Sequence, residues 1–157
     1  TAAYRATNYY EALKDFKTAS LSPDLKLQQQ SYYNLGNTLY RMGSLKFEPS
    51  TEGLDAMTET WQQAAKSYEH AAELATNDLD AAYNLDFVKK QLNAIEQLKK
   101  LMQRAKMEAD EAVRRAEFHQ ALVIMEQLSQ NQIAAKKFQD YVKKLKDIDA
   151  IVTPHQP

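Results

Sequence analysis

The sequence predicts an all-α protein of antiparallel helix pairs, with one long helix and a C-terminal helical hairpin. Three observations carry that reading. Apolar residues recur at three- and four-residue spacing along most of the chain, which places them on one face of each helix. Cap-forming residues stand at the breaks, in Ser22-Pro-Asp24, Thr76-Asn-Asp78 and Asn131. No Gly or Pro occurs from Leu79 until Pro154, so nothing there forces a helix to stop early.

The elements follow in order. A first helix from about Tyr9 to Leu21 carries Leu13, Phe16 and Ala19 on one face. Pro23 ends it, because proline cannot continue a helix, and Ser22 and Asp24 are good cap residues. The next helix, roughly Leu27 to Met42, lines up Tyr32, Leu35, Gly36, Leu39 and Tyr40. Gly36 lies inside it, where glycine costs roughly 1 kcal/mol relative to alanine, so a second helix is expected to cross very close there. Gly43 is expected to end this helix in the left-handed conformation that follows a last turn.

Residues 44–60 read as an insertion. A loop broken by Pro49 and Gly53 runs to about Thr51, and about two added turns of helix lead into Trp61. Leu54, Met57, Trp61, Ala64 and Tyr68 then keep helical spacing. The insertion is either decoration or an arm that contacts a partner. After the Thr76-Asn-Asp78 cap, Leu85, Val88, Leu92, Ile95, Leu98, Met102, Ala105, Ala109, Ala112 and Ala116 recur at about 3.5-residue spacing, compatible with a coiled-coil seam. This predicts one long helix to about Arg115, without a turn near Asn93. A helix to about Ser129 follows, and Asn131 caps a last one carrying Ile133, Phe138, Tyr141, Val142 and Leu145. The expected division is 1–93 for the helical pairs, 94–150 for the long-helix continuation and hairpin, and 151–157 for a fraying tail.

The stretch Ser31-Tyr-Tyr-Asn-Leu-Gly-Asn-Thr-Leu-Tyr-Arg-Met-Gly43 resembles the first helix of a tetratricopeptide repeat (TPR), a helix-turn-helix unit with a period of about 34 residues. Ala64, Tyr68 and Ala71 resemble the small, aromatic and small positions of the repeat's second helix, and Ala81-Ala-Tyr-Asn-Leu85 resembles the start of another first helix. Tyr9 to Ala19 is similar to a preceding second helix. The resemblance implies a TPR-like antiparallel helix-pair solenoid that begins mid-repeat, with Ala3, Tyr4 and Arg5 closing a first helix and Thr7-Asn8 its turn. Self-association through this incompletely covered end is expected. Asp86 stands where Gly36 would recur and Leu98 where Ala64 would, so the repeat breaks down beyond. Residues 28–98 are also similar to TPR proteins of bacterial aerotolerance (Bat) operons, which favours a bacterial periplasmic or membrane-tethered setting over the cytoplasm.

The composition excludes several kinds of chemistry. With no Cys there are no disulfides, thiolate metal sites or cysteine nucleophiles. His70, His119 and His155 are isolated, without a second histidine at helical spacing, and Gly36 and Gly43 are not followed by the Lys-Ser/Thr of a phosphate loop. Glu108, Asp110, Glu111 and Glu117 read as solvated charge, and the Met residues as core filler. No catalytic set, metal or cofactor is expected. Residues 1–78 hold seven Lys and Arg against ten Asp and Glu, and residues 79–157 thirteen against eleven, too even a balance to argue for nucleic acid. No apolar run reaches the roughly 20 residues of a membrane span, and no signal peptide is visible. The chain starts with Thr1 and not Met, which fits an upstream segment removed by processing, with any anchor or export signal in it.

The expected function is therefore non-enzymatic: a scaffold or adaptor that binds a segment of another protein. TPR proteins line a concave groove with their first helices. Carried over by position, the resemblance implies partner contacts at Gln30, Tyr33, Asn34, Asn37, Tyr40 and Arg41 on one helix, and at Asp80, Tyr83, Asn84, Phe87 and Lys90 on the next. Asparagines both donate and accept, and tyrosines offer contact area at low entropy cost. Tyr33 and Tyr83 occupy places where a carboxylate clamp would have lysines, which argues against capture of a chain terminus. The alternatives are a self-associating structural protein that pairs through the long helix, and a nucleic-acid or anionic-membrane binder using basic faces such as Lys89-Lys90, Lys99-Lys100, Arg104, Lys106 and Arg114-Arg115.

Overall fold

Helix periodicity and caps produce six helices and no strand among the described residues. The computed structural model describes residues 2–75 and 79–152, with side chains described from Asn8 onward. The helices are α1 (Ala2–Ala19), α2 (Leu25–Lys46), α3 (Thr51–Leu74), α4 (Leu79–Arg114), α5 (Phe118–Leu128) and α6 (Gln132–Val152). The protein is all-α. Contacts divide the chain into two compact units, Thr1–Glu48 with Glu52–Ile95, and Pro49–Thr51 with Glu96–Pro157.

In the first unit, α1 is continuous through Thr7-Asn8, so the expected turn there is replaced by unbroken helix. The short Ser20–Asp24 link returns the chain antiparallel. Asp24 caps α2 as its side chain accepts from the amides of Lys26 and Leu27, at 2.9 and 3.2 Å. The Gln28 side chain donates to the Ser20 carbonyl at 3.0 Å and ties the link down.

Packing of α2 on α3 is set by two glycines seven residues apart, a spacing that puts them on one helix face two turns apart. A Cβ on Gly36 would lie 2.6 Å from Cε1 of Tyr68, and one on Gly43 would lie 2.5 Å from Cδ1 of Trp61. Tyr68 and Trp61 are themselves seven residues apart, so the two helices run antiparallel in matched register. Gly43 is therefore a packing glycine inside α2. The expectation that it ends the helix was wrong, since no described glycine has a positive φ and α2 continues to Lys46. Gly53 likewise does not break the chain. It lies within α3, where a Cβ would come within 2.5 Å of the Glu48 carbonyl oxygen, so the link from α2 folds closely over the start of α3. The core of this unit holds Leu35, Leu39, Met42, Leu54, Met57, Trp61, Ala64, Tyr68, Ala71, Ala81 and Val88.

α4 is a single helix of 36 residues without a turn at Asn93. The expected Thr76-Asn-Asp78 cap and the fraying of Thr153 to Pro157 lie outside the described residues.

In the second unit α4 ends at a left-handed residue, Ala116 at φ 60. The Glu117 amide donates to the Ala112 carbonyl at 2.9 Å and the Ala116 amide to Val113 at 3.0 Å, the paired bonds that close a helix C-terminus. Ala116 is consequently exposed, and the seam expected to include it stops at Ala112. Met102, Ala105, Ala109 and Ala112 are buried on α4, with Ala121, Leu122, Met125 and Leu128 on α5 and Ile133, Ala134 and Leu145 on α6. The Asn131 side chain caps α6 by accepting from Ile133 and Ala134 at 3.0 and 3.2 Å. Four of the five methionines fill core positions, whereas Met107 is exposed.

Candidate functional site

Aromatic rings lead outward from the close α2–α3 crossing to α4. Trp61 stacks on Tyr40 with centroids 5.0 Å apart and donates its indole N–H to the Tyr40 carbonyl at 3.0 Å. Tyr40 meets the edge of Phe87 at 6.0 Å, and Tyr33 tilts over Tyr68 at 6.1 Å. A buried ring thus positions a half-buried one on α2, and that ring in turn meets Phe87 on α4.

A short polar chain crosses the same three helices. The Tyr68 hydroxyl donates to Oδ1 of Asn37 at 2.8 Å. The Asn84 amide reaches Oδ1 of Asn37 and the Tyr33 hydroxyl, each at 3.4 Å, longer and weaker contacts. Burial holds the Tyr68 phenol well above the usual tyrosine range, with the neighbouring phenols Tyr33 and Tyr40 adding to the effect and Arg41 opposing it. Tyr68 is 2% exposed and stays a neutral donor.

Above this frame lies an open groove of about 580 Å³ lined by Tyr9, Asn37, Tyr40, Arg41, Ser44, Leu45, Tyr68, Tyr83, Asn84, Phe87 and Val88. That volume is in the range of roughly 300–1,000 Å³ typical of ligand sites. Tyr83 is 70% exposed and Phe87 39%, so their rings stand toward solvent on successive turns of α4.

Of the residues expected to contact a partner, Asn37, Tyr40, Arg41, Tyr83, Asn84 and Phe87 come together on the groove wall. Gln30, Tyr33, Asn34, Asp80 and Lys90 do not line it. Tyr33 acts from behind, through Asn84 and Tyr68. Lys90 is engaged at 2.7 Å by Asp86 one turn back, and that hydrogen bond raises its pKa. The sequence reading missed Tyr9, Ser44, Leu45, Tyr68 and Val88. Tyr9 escaped because contacts were expected only from α2 and α4, Leu45 because α2 extends further than expected, and Tyr68 because its ring was read as packing.

No family model, curated protein or solved structure matches this chain. The geometry of the groove is thus the ground for a functional reading. Among the described residues no group of three or more His, Asp or Glu stands together as a metal-binding set, and no helix is long and apolar enough to cross a membrane.

The second unit holds a polar assembly between α4 and α6. The Tyr141 hydroxyl donates to Asp110 at 2.7 Å, Lys106 pairs with the same carboxylate, and the Lys106 ammonium sits 4.2 Å from the Tyr141 ring centroid. The Lys106 hydrogen bond, seconded by Tyr141, lowers the Asp110 pKa, while burial and then the bond to Asp110 push the Tyr141 phenol up to about 12. Each group answers another within the set, and this ties α6 to α4.

Proposed function

We propose that this chain is a TPR-like interaction module, a non-enzymatic scaffold or adaptor that holds a segment of another protein in the groove between α2 and α4. The observation that supports it is the wall itself. Tyr83 and Phe87 stand exposed on α4, and Tyr40 is half-buried on α2 where it stacks on the buried Trp61; together they surround an open volume on the scale of a bound peptide segment. Large rings left in water at the rim of a groove offer contact area that a partner can bury at little entropic cost.

The match of α2 with the repeat's first-helix pattern and of Gly36 with a close crossing agrees with this reading. A test uses random peptides displayed on phage and selected on the full chain, with each enriched peptide then titrated against Tyr83→Ala. Tyr83 is exposed and makes no fold-defining contact, so this change spares the core. Binding weakened about tenfold or more by Tyr83→Ala supports the groove. Peptides that bind both proteins equally, or no enrichment at all, would remove it.

A further inference from the structure

We infer that the groove takes a segment carrying an acidic side chain next to a large apolar one, held by side chains rather than by its chain terminus; this rests on the groove being a partner site. The charge of the wall carries the argument. Among the described residues, Arg41 is the only ionisable group on it that is charged at neutral pH, and none of the described lining side chains is acidic. Arg41 is exposed and has no ion-pair partner among the described residues. Lys90, the nearest expected second cation, is held by Asp86 and does not line the groove.

A cationic ligand would meet Arg41 with no described lining carboxylate to offset the repulsion, although the five aromatic rings of the lining would otherwise suit one. An anionic group next to Arg41 gains a charge-assisted, bidentate-capable donor, and its apolar neighbour covers Tyr40, Tyr83 and Phe87. Capture of a terminal carboxylate and its backbone needs a second cation and free amide groups. Here Oδ1 of Asn37 already accepts from Tyr68, and the Asn84 amide is directed at Asn37 and Tyr33. The recognition that remains open is one charge and one apolar surface side by side.

The test sequences the peptides enriched on the full chain and resynthesises them with acetylated N-termini and amidated C-termini, so that no terminal charge contributes. Asp or Glu within two positions of Leu, Phe, Tyr or Trp should be enriched. Affinity of the capped peptides should fall about tenfold with Arg41→Glu, as an exposed attraction becomes a repulsion, and should recover when the peptide acid is replaced by Lys. Arg41 is exposed, so the reversal leaves the core intact, which circular dichroism checks. Peptides that need Tyr83 but show no acidic preference and no response to Arg41→Glu would overturn the inference and leave the groove reading standing. Peptides indifferent to Tyr83 as well would overturn both.

Discussion

Gly36→Ala sets two forces against each other, and the structure says which wins. By helix propensity alone the change stabilises α2 by up to about 1 kcal/mol, since alanine loses less backbone freedom. In the folded chain the added Cβ would lie 2.6, 2.7 and 3.0 Å from Cε1, Cδ1 and Cγ of Tyr68. That ring cannot swing away freely, because it is buried and its hydroxyl is bonded to Asn37. Overpacking of this kind costs about 1–3 kcal/mol, and straining the Tyr68–Asn37 bond adds about 1 kcal/mol. The net expectation is a loss of about 1–3 kcal/mol, or roughly 2–4 °C in Tm for each kcal/mol in a chain of this size. Urea unfolding followed by Trp61 fluorescence reports it directly, because Trp61 is the only tryptophan and packs in the same crossing. In a Tyr68→Ala background the ring is gone, and Gly36→Ala should become neutral or stabilising. A Gly36→Ala protein that is more stable than the parent by about the propensity value would refute the close crossing.

Three further outcomes are expected. Asn37→Ala should cost about 1–3 kcal/mol in the same assay by leaving the buried Tyr68 hydroxyl without its acceptor, whereas Asn34→Ala, whose side chain holds no such partner, should cost little. Ala116→Gly should stabilise by about 0.5–1 kcal/mol, measured as a rise in urea midpoint, because alanine is held at φ 60 and glycine adopts that conformation without a Cβ penalty. In the second unit Asp110, with its pKa depressed in the folded state, contributes stability that is present above the ordinary aspartate value of about 3.9 and lost as pH falls through its folded value. Tyr141, raised to about 12, contributes stability that is full below about pH 10 and lost as pH rises through its folded value. Melts across pH should therefore show Asp110→Asn flattening the acid limb and Tyr141→Phe the alkaline one.

Much of the helical plan was legible because its causes are local. Asp24 and Asn131 are caps whose side chains need only their own helix, and the lack of Gly or Pro beyond Leu79 left α4 no local reason to stop. Gly36 was legible as a crossing because a costly residue mid-helix implies a compensation. The same reasoning applied to Gly43 would have kept α2 going to Lys46; glycine's ease in the left-handed conformation after a last turn pointed to a stop instead. Which glycine role holds depends on a ring arriving from α3, and the sequence of α2 does not contain it. The stop of α4 was expected at about Arg115 and falls at Arg114, but the apolar seam was carried on to Ala116, an alanine in a left-handed position where composition gives no signal. On the site, the α2 and α4 positions came from the resemblance to the repeat; Asn37 lines the groove and also serves the core, and only the Tyr68 hydroxyl reveals that second role.

The contrast between Gly36 and Asp86 carries a consequence for binding. Where α2 meets α3, the absent side chains at Gly36 and Gly43 let rings press onto backbone, and a compact crossing results. At the corresponding place in α4 stands Asp86, exposed and bonded to Lys90 at 2.7 Å. A solvated ion pair cannot take a ring onto the backbone beneath it without losing its hydration, so Asp86 does not offer the close approach that Gly36 does, and α4 is continuous through it. Tyr83, Asn84, Phe87 and Val88 accordingly sit within an uninterrupted hydrogen-bonded helix, away from any frayed end. Their spacing is fixed before a ligand arrives, as that of Tyr40 is by Trp61. Under the proposed function, ordering on binding falls on the partner segment, so affinity should respond to the side chains presented and to the charge at Arg41, with the groove itself changing little.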